Sequence, residues 1–162
     1  MAKDPSPELP LTPLRGAPLP LSGWLTTFHL VLVAVDPFTN ESAWILPTAQ
    51  RILHVYEDAD CRVAWLITCT PEEAELFLGP LAREFLTFVD PDREVVKGLG
   101  LERLPALVHV LPDATLAGVA EGWDPYRWRE VTEELSHLLG WTRPAIPAPR
   151  DPQPFAGSPA LA

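Results

Sequence analysis

The two cysteines, Cys61 and Cys69, are the side chains of this 162-residue chain best suited to covalent chemistry. Reduction of a disulfide needs a thiolate nucleophile, and it passes through a mixed disulfide that a second thiol resolves. If the two cysteines bracket a strand, they lie ~25 Å apart at ~3.3 Å per residue, too far for a disulfide. Cys69 alone is a possible reactive thiol, although small buried residues at strand ends are the commoner use of free cysteine.

The other candidate groups predict neither a metal nor a cofactor. The chain has four histidines, at positions 29, 54, 109 and 137. Two cysteines match no zinc-ligand spacing, and His54 with Glu57 or Asp58 is typical of a solvated helix face. His109, within an apolar segment, is expected in the core or on a sheet face. Gly98-Leu99-Gly100 follows a predicted helix instead of a strand and is too short for a phosphate-binding loop.

The charge balance excludes several partners. Twelve Lys and Arg against 22 Asp and Glu give a formal net charge of −10, which repels nucleic acid and anionic lipid. The longest strongly apolar run, Leu30–Val35, is far shorter than the ~20 residues that cross a bilayer. Prolines follow Met1–Lys3 where a signal peptide would have an apolar core. We therefore expect a soluble, acidic, cytoplasmic protein without membrane insertion.

Prolines divide the chain into three parts. Of 20 prolines, six lie in residues 1–23 and six in residues 142–162. Proline alternating with leucine favours extended, polyproline-like conformers. We predict a proline-rich N-terminal arm (1–23), a domain (24–141) and a proline-rich C-terminal arm (142–162), both arms being disordered or draped over the surface. Trp141, Ile146 and Phe155 could attach the C-terminal arm to the domain.

Strand and helix patterns alternate between the arms. His29–Asp36 and Arg62–Thr68 are apolar on both faces, as in strands buried within a sheet. Asn40–Tyr56 has apolar residues at three- and four-residue spacing, which predicts a helix with a kink where Pro47 removes a backbone donor. Thr70 begins the next helix, with proline and two carboxylates in the first turn.

The second half of the domain predicts a strand, a short helix and a hairpin. The strand is Leu86–Val89, the helix follows Asp90-Pro91, and the hairpin joins Ala106–Leu111 to Thr115–Ala120. Asp124-Pro125 caps a last helix with one apolar stripe. Because two strands joined by a helical crossover must be parallel, the order predicts an α/β fold, with helices on both faces of a mixed sheet.

This order resembles the thioredoxin fold over residues 28–140. Gly100–Val108, with Pro105 just before the hairpin, is similar to the segment where thioredoxins carry a cis proline. Pro47 stands where the first thioredoxin helix has its kinking proline. The resemblance implies a three-layer α/β/α sandwich flanked by the two arms. It also implies a groove beside Pro105 in which relatives hold an extended peptide by backbone hydrogen bonds.

The same resemblance locates a lost redox site. Aligning Pro47 with the thioredoxin proline puts the Cys-x-x-Cys pair of that family at Thr39–Ser42, where the side chains are Thr, Asn, Glu and Ser. Hydroxyls and amides cannot replace a thiolate, although Thr39 or Asn40 can still cap the helix. The buried acid of the family aligns with Val33. The resemblance thus implies a redox-inactive branch without enzyme activity. We predict a peptide-binding groove formed by Phe38, Thr39, Asn40, Leu104 and Pro105.

Three functions fit these patterns. The first is a non-catalytic adaptor or chaperone with a protein or peptide client. Pro105–Val108 and Gly122–Tyr126 are similar to hydrogenase-maturation thioredoxin-like chaperones, and the acidic charge suits an arginine-rich client such as a twin-arginine export signal. The second is a one-cysteine thiol reductase or peroxidase acting through Cys69. The third is an assembly factor whose arms wrap a larger complex. None of the three specifies an oligomeric state.

Overall fold

A seven-stranded mixed sheet forms the centre of the computed structural model, which describes residues 1–161. The strands are β1 (Pro10–Pro13), β2 (Leu19–Pro20), β3 (His29–Val35), β4 (Cys61–Ile67), β5 (Leu86–Val89), β6 (Arg103–Leu104), β7 (Ala106–Val110), β8 (Leu116–Glu121) and β9 (Ser158–Pro159). The helices are α1 (Leu21–Leu25), α2 (Leu46–Tyr56), α3 (Pro71–Leu78), α4 (Leu81–Glu84), α5 (Glu94–Leu99) and α6 (Pro125–Leu139).

The strand order of the main sheet is β2-β1-β5-β4-β3-β7-β8, and β6 pairs separately with β9. β3 is parallel to β4, and β4 is parallel to β5, as the helical crossovers require. β7 is antiparallel to β3 and to β8. The predicted parallel pair and the predicted hairpin are therefore confirmed.

Two apolar cores lie on the two faces of this sheet. Along β3, Val31 and Val33 face one core with α2 and α6, while Leu30 and Leu32 face the other with α1 and α5. Burying a side chain of this size stabilises a fold by about 1.5–3 kcal/mol, so a strand that is apolar on both faces is driven to the middle of a sheet. The three-layer α/β/α arrangement is confirmed.

The predicted caps Thr70 and Asp124 stand at helix starts, whereas Thr39 and Asn40 cap no helix, because α2 begins at Leu46 without a side-chain cap. The Thr70 hydroxyl accepts a hydrogen bond from the Glu73 N–H at 3.3 Å, and Glu73 accepts in return from the Thr70 N–H at 3.1 Å. The Asp124 carboxylate likewise accepts from the first N–H groups of α6. Asp90 differs, because α5 begins only at Glu94; its buried carboxylate reaches forward to the N–H of Val95 at 3.1 Å.

The predicted kink at Pro47 is wrong. Residues 42–45 form a single 3₁₀ turn, and α2 begins at Leu46, which places Pro47 in its first turn. A first-turn N–H has no partner within its own helix, so proline costs nothing there. The continuous helix expected over Asn40–Tyr56 is thus a loop, a 3₁₀ turn and a shorter α-helix.

The N-terminal segment is not the disordered or draped arm expected from its prolines. β1 adds to the sheet beside β5, with Thr12 opposite Val89, and β2 continues the sheet beyond it. Leu11 and Leu21 are buried in the core that contains α5. An uncovered β5 would expose backbone donors and acceptors at the sheet edge, and the N-terminal segment satisfies them.

Candidate functional site

The loop after β3 carries the residues that replace the family's cysteine pair. The Ser42 hydroxyl is buried and donates a hydrogen bond to the Thr39 carbonyl oxygen at 2.8 Å. Thr39 is half-buried and Asn40 is exposed, while the Phe38 side chain is 64% exposed. The Ser42 hydroxyl therefore stabilises the loop through a hydrogen bond to its backbone, and the Phe38 side chain in the same loop faces solvent.

Leu104 and Pro105 lie at the same edge of the sheet as this loop. Ala106, the first residue of β7, pairs with Ala34 near the end of β3, so the segments that follow Ala34 and precede Ala106 meet there. Leu104 and Pro105 are buried, and the peptide bond between them is cis. The two groups of predicted groove residues therefore extend from the same end of the β3–β7 pair.

A segment of the C-terminal arm occupies the backbone edge beside Leu104. β9 pairs antiparallel with β6, with Ser158 opposite Leu104. The Ala160 N–H donates to the Glu102 carbonyl oxygen at 2.9 Å. The sequence prediction missed this strand because residues 155–161 have little apolar patterning, and backbone pairing does not need any.

Arg103 strengthens this pairing from the side. Its guanidinium donates from Nε to the Ala156 carbonyl oxygen at 2.9 Å and from Nη2 to the Gly157 carbonyl oxygen at 2.8 Å. Charge-assisted hydrogen bonds of this kind are shorter and stronger than neutral ones. Arg103 therefore binds the backbone of the extended segment, and these two hydrogen bonds do not depend on the side chains of that segment.

Trp123 holds the same segment at its upstream end. The backbone N–H of Trp123 donates to the Phe155 carbonyl oxygen at 2.8 Å, and the Phe155 N–H donates back at 3.1 Å. The Trp123 indole N–H donates to the Pro152 carbonyl oxygen at 2.8 Å. The Phe155 ring packs edge-on against Trp44, with centroids 5.8 Å apart.

An ion pair at the end of β3 contacts the far end of the segment. Arg93 Nη2 lies 3.0 Å from the Asp36 carboxylate, and both side chains are largely buried. Arg93 also donates to the Ala160 carbonyl oxygen, while Asp36 accepts from the Phe38 N–H at 3.0 Å. The pair thus links the cysteine-replacing loop to the C-terminal segment. Its members are far apart in the sequence, which gave no signal for it.

The upstream part of the C-terminal arm is anchored to α2. The Asp151 carboxylate is almost fully buried and accepts from the Thr48 hydroxyl at 2.7 Å and from Arg51 Nη2 at 2.8 Å. Ile146 is buried in the core that contains α2 and α6. The draped position expected for this arm fits these contacts, but the arm is held at specific points instead of being flexible.

Cys69 is buried in an environment that disfavours its thiolate. The side chain is 2% exposed just after β4. Burial raises the pKa of its thiol to about 12, and the nearby Glu73 and Asp36 carboxylates contribute to the rise. Burial likewise raises the pKa of the Cys61 thiol to about 12, and both cysteines are free. Since the thiolate is the reactive form, this environment opposes chemistry at either sulfur.

The histidines form two separate groups. The Nδ1 atom of His29 lies 2.8 Å from Nε2 of His109, which is fully buried. Burial, together with the neighbouring His29, lowers the pKa of His109 to about 4. His54 is exposed on α2 and pairs with Glu57, as expected for a solvated face. Within residues 1–161, no three His, Cys, Asp or Glu side chains converge as metal ligands would.

Comparisons of the sequence with family models and with curated proteins give no match. Solved structures do match. A candidate thiol:disulfide interchange protein DsbE from Chlorobium tepidum has a TM-score of 0.70 at 16% identity, over 86% of this chain and 99% of that one. A candidate thioredoxin from Neisseria meningitidis has a TM-score of 0.68 at 14% identity, over 85% and 90%. The exposed lipoprotein thioredoxin of Streptococcus pneumoniae has a TM-score of 0.61 at 15% identity, over 77% and 97%.

These similarities establish the fold. The mixed sheet, its two helical layers and the agreement with thiol-disulfide oxidoreductase structures show that the chain has a thioredoxin-like fold. At these identities the similarity concerns the fold alone. What the chain does with that fold depends on its own residues.

The structure bears on membrane insertion but does not test where the protein is located. No helix within residues 1–161 is both long enough and apolar enough to cross a bilayer. The pneumococcal protein is described as exposed, which concerns that protein only. A cytoplasmic location for this chain stays a prediction from its sequence.

Proposed function

We propose that this chain is a non-catalytic thioredoxin-like module that binds an extended segment of a partner protein, as an adaptor or assembly chaperone. One observation carries the proposal. The backbone edge at Arg103–Leu104 accepts an extended segment in antiparallel pairing, here from residues 158–159. An edge that pairs with a strand of its own chain has the geometry to pair with a partner's strand.

The side chains at the corner support a binding role over a redox role. Thr39–Ser42 provide hydroxyl, amide and carboxylate groups, none of which forms a mixed disulfide. Cys69 is buried and its pKa is raised, which opposes the alternative of a one-cysteine reductase or peroxidase. Phe38, in contrast, offers a large exposed aromatic side chain of the type that anchors partners.

The charge favours a basic partner. A net charge of −10 attracts arginine-rich segments and repels acidic ones. A twin-arginine export signal has this chemistry, and a role in hydrogenase maturation would supply such a client. The hydrogenase assignment is our proposal from the short Pro105–Val108 and Gly122–Tyr126 resemblance.

Titration of the full chain with a labelled, extended, arginine-containing peptide tests the proposal by fluorescence anisotropy. Phe38→Ser should weaken binding about tenfold, since loss of a hot-spot aromatic costs about 1–2 kcal/mol. Leu76→Ser is the matched control, because Leu76 is 86% exposed on α3, away from the corner. Equal weakening by both variants, or absence of binding to the unmodified chain, would overturn the proposal.

Insulin-disulfide reduction and peroxide consumption test the enzymatic alternative. The purified chain should show neither activity. If it shows one of them and Cys69→Ser abolishes it, the non-catalytic proposal fails. Affinity for the arginine-containing peptide should also fall with added salt, and salt-independent affinity would contradict the role given to charge.

A further inference from the structure

We propose that residues 155–160 are a reversible intramolecular ligand that shields the groove, and that a partner segment with the pattern aromatic-x-Gly-x-x-Ala displaces them. This inference rests on the proposed function and deepens it by naming what the groove recognises and what keeps it closed. The two parts of the C-terminal arm are held in different ways.

The upstream part of the arm is held firmly. Pro144 and Ile146 are buried, and the Arg51 guanidinium donates to the Ala145 carbonyl oxygen at 2.6 Å. The Asp151 carboxylate is buried against Thr48 and Arg51. These contacts fix the arm up to Pro152, just before the groove.

The downstream part is held mainly through its backbone. Between Phe155 and Leu161, only the small side chain of Ala160 is fully buried, while Ala156, Pro159 and Leu161 are exposed. Segments with few buried apolar contacts open locally at little free-energy cost. The segment is therefore held by hydrogen bonds to its backbone more than by buried side chains. Its anchor at Asp151 keeps it near the groove at high local concentration.

Two glycines make the fit specific. Gly157 has φ +80, and a Cβ atom there would overlap the Leu104 carbonyl oxygen. Gly122 has φ +71, and a Cβ atom there would lie 2.7 Å from the Ala156 carbonyl oxygen. The two backbones approach each other so closely that position 157 of the ligand tolerates glycine alone.

The contacts along the segment define the partner's pattern. Phe155 packs on Trp44, Gly157 fits against Leu104, and Ala160 is fully buried. The positions between them face solvent wholly or in part, so a partner can carry arginine there. The motif therefore has an aromatic residue at the position of Phe155, a glycine at that of Gly157 and an alanine at that of Ala160.

The test uses the full chain and a labelled peptide that copies residues 152–161. Gly157→Ala in the full chain should release the resident segment, so the peptide should bind this variant at least about tenfold more tightly than the unmodified chain. Hydrogen exchange of the Ala160 and Phe155 amides, which donate to Glu102 and Trp123, should accelerate by a similar factor. Ala160→Glu is a second releasing variant.

Gly140→Ala is the matched control. Gly140 has φ +63, but a Cβ atom added there would meet no other atom within 4 Å, so the variant carries the same backbone strain without the overlap. Its peptide affinity and its exchange at Ala160 should match those of the unmodified chain. A peptide with alanine in place of its glycine should bind none of the proteins.

The outcomes separate this inference from the proposed function. If Gly157→Ala neither accelerates exchange nor improves peptide binding, the inference is overturned even where arginine-containing peptides bind through Phe38. The same holds if Gly140→Ala gives an equal gain. If the segment is released and its peptide binds, but no arginine-containing peptide does, the inference stands and the basic partner of the proposed function is refuted.

Discussion

Mild acid should destabilise this protein through His109. The ring is fully buried on β7, Nε2 lies 2.8 Å from His29 Nδ1, and Nδ1 has no hydrogen-bond partner within residues 1–161. A proton added to His109 would place a charge on a fully buried ring whose hydrogen-bond partner is a second histidine. Burial also lowers the pKa of His29, although the nearby Asp60 opposes that change.

The size of the effect follows from the pKa of His109. It is about 4 in the folded chain, compared with 6.5 for an unperturbed histidine. Between pH 6.5 and pH 4, His109 is therefore protonated in the unfolded chain and neutral in the folded chain. The contribution of His109 to the free energy of unfolding is complete above pH 6.5. It falls by about 1.4 kcal/mol per pH unit as the pH decreases from 6.5 to 4. Between pH 7 and pH 5 the loss from this residue is about 2 kcal/mol.

Urea denaturation at pH 7 and pH 5 measures this loss. His109→Leu removes the titrating group, so its stability should change less between the two pH values by about 2 kcal/mol. Titration of the carboxylates is common to both proteins and cancels in the comparison. His137→Gln, at an exposed position on α6, should behave like the unmodified chain. Parallel pH profiles for His109→Leu and the unmodified chain would refute the argument.

Three further predictions concern the thiols, a helix cap and the arm. Neither Cys61 nor Cys69 should react with a thiol reagent at pH 8 until the chain is unfolded, since burial raises the pKa of each to about 12; rapid labelling of the native chain would contradict this. Thr70→Ala should lower the free energy of unfolding by about 1 kcal/mol in urea, because the cap of α3 is lost. Asp151→Ala should destabilise the chain by about 2 kcal/mol and accelerate tryptic cleavage after Arg150, and unchanged proteolysis would show that Asp151 is not the anchor.

The sequence by itself determined the central part of the fold. Strands β3 and β4 are apolar on both faces, and this pattern has no stable place except the middle of a covered sheet. Thr70 and Asp124 mark helix starts because their side-chain oxygens satisfy N–H groups within the same turn. These signals are local, so they can be recognised without knowing what lies on the other side of the molecule.

Only the tertiary structure decided what the two proline-rich segments do. β1 adds to the sheet at β5, and β9 occupies the edge at Leu104. Both pairings are made by backbone carbonyl oxygens and by the N–H groups of the non-proline residues, so the side-chain pattern does not specify a partner strand. The same reason applies to the candidate site. The sequence predicted a groove beside Pro105 but not the C-terminal segment that pairs there. That segment is distant in the sequence, its backbone pairs with the edge at Leu104, and Gly157 permits the close approach.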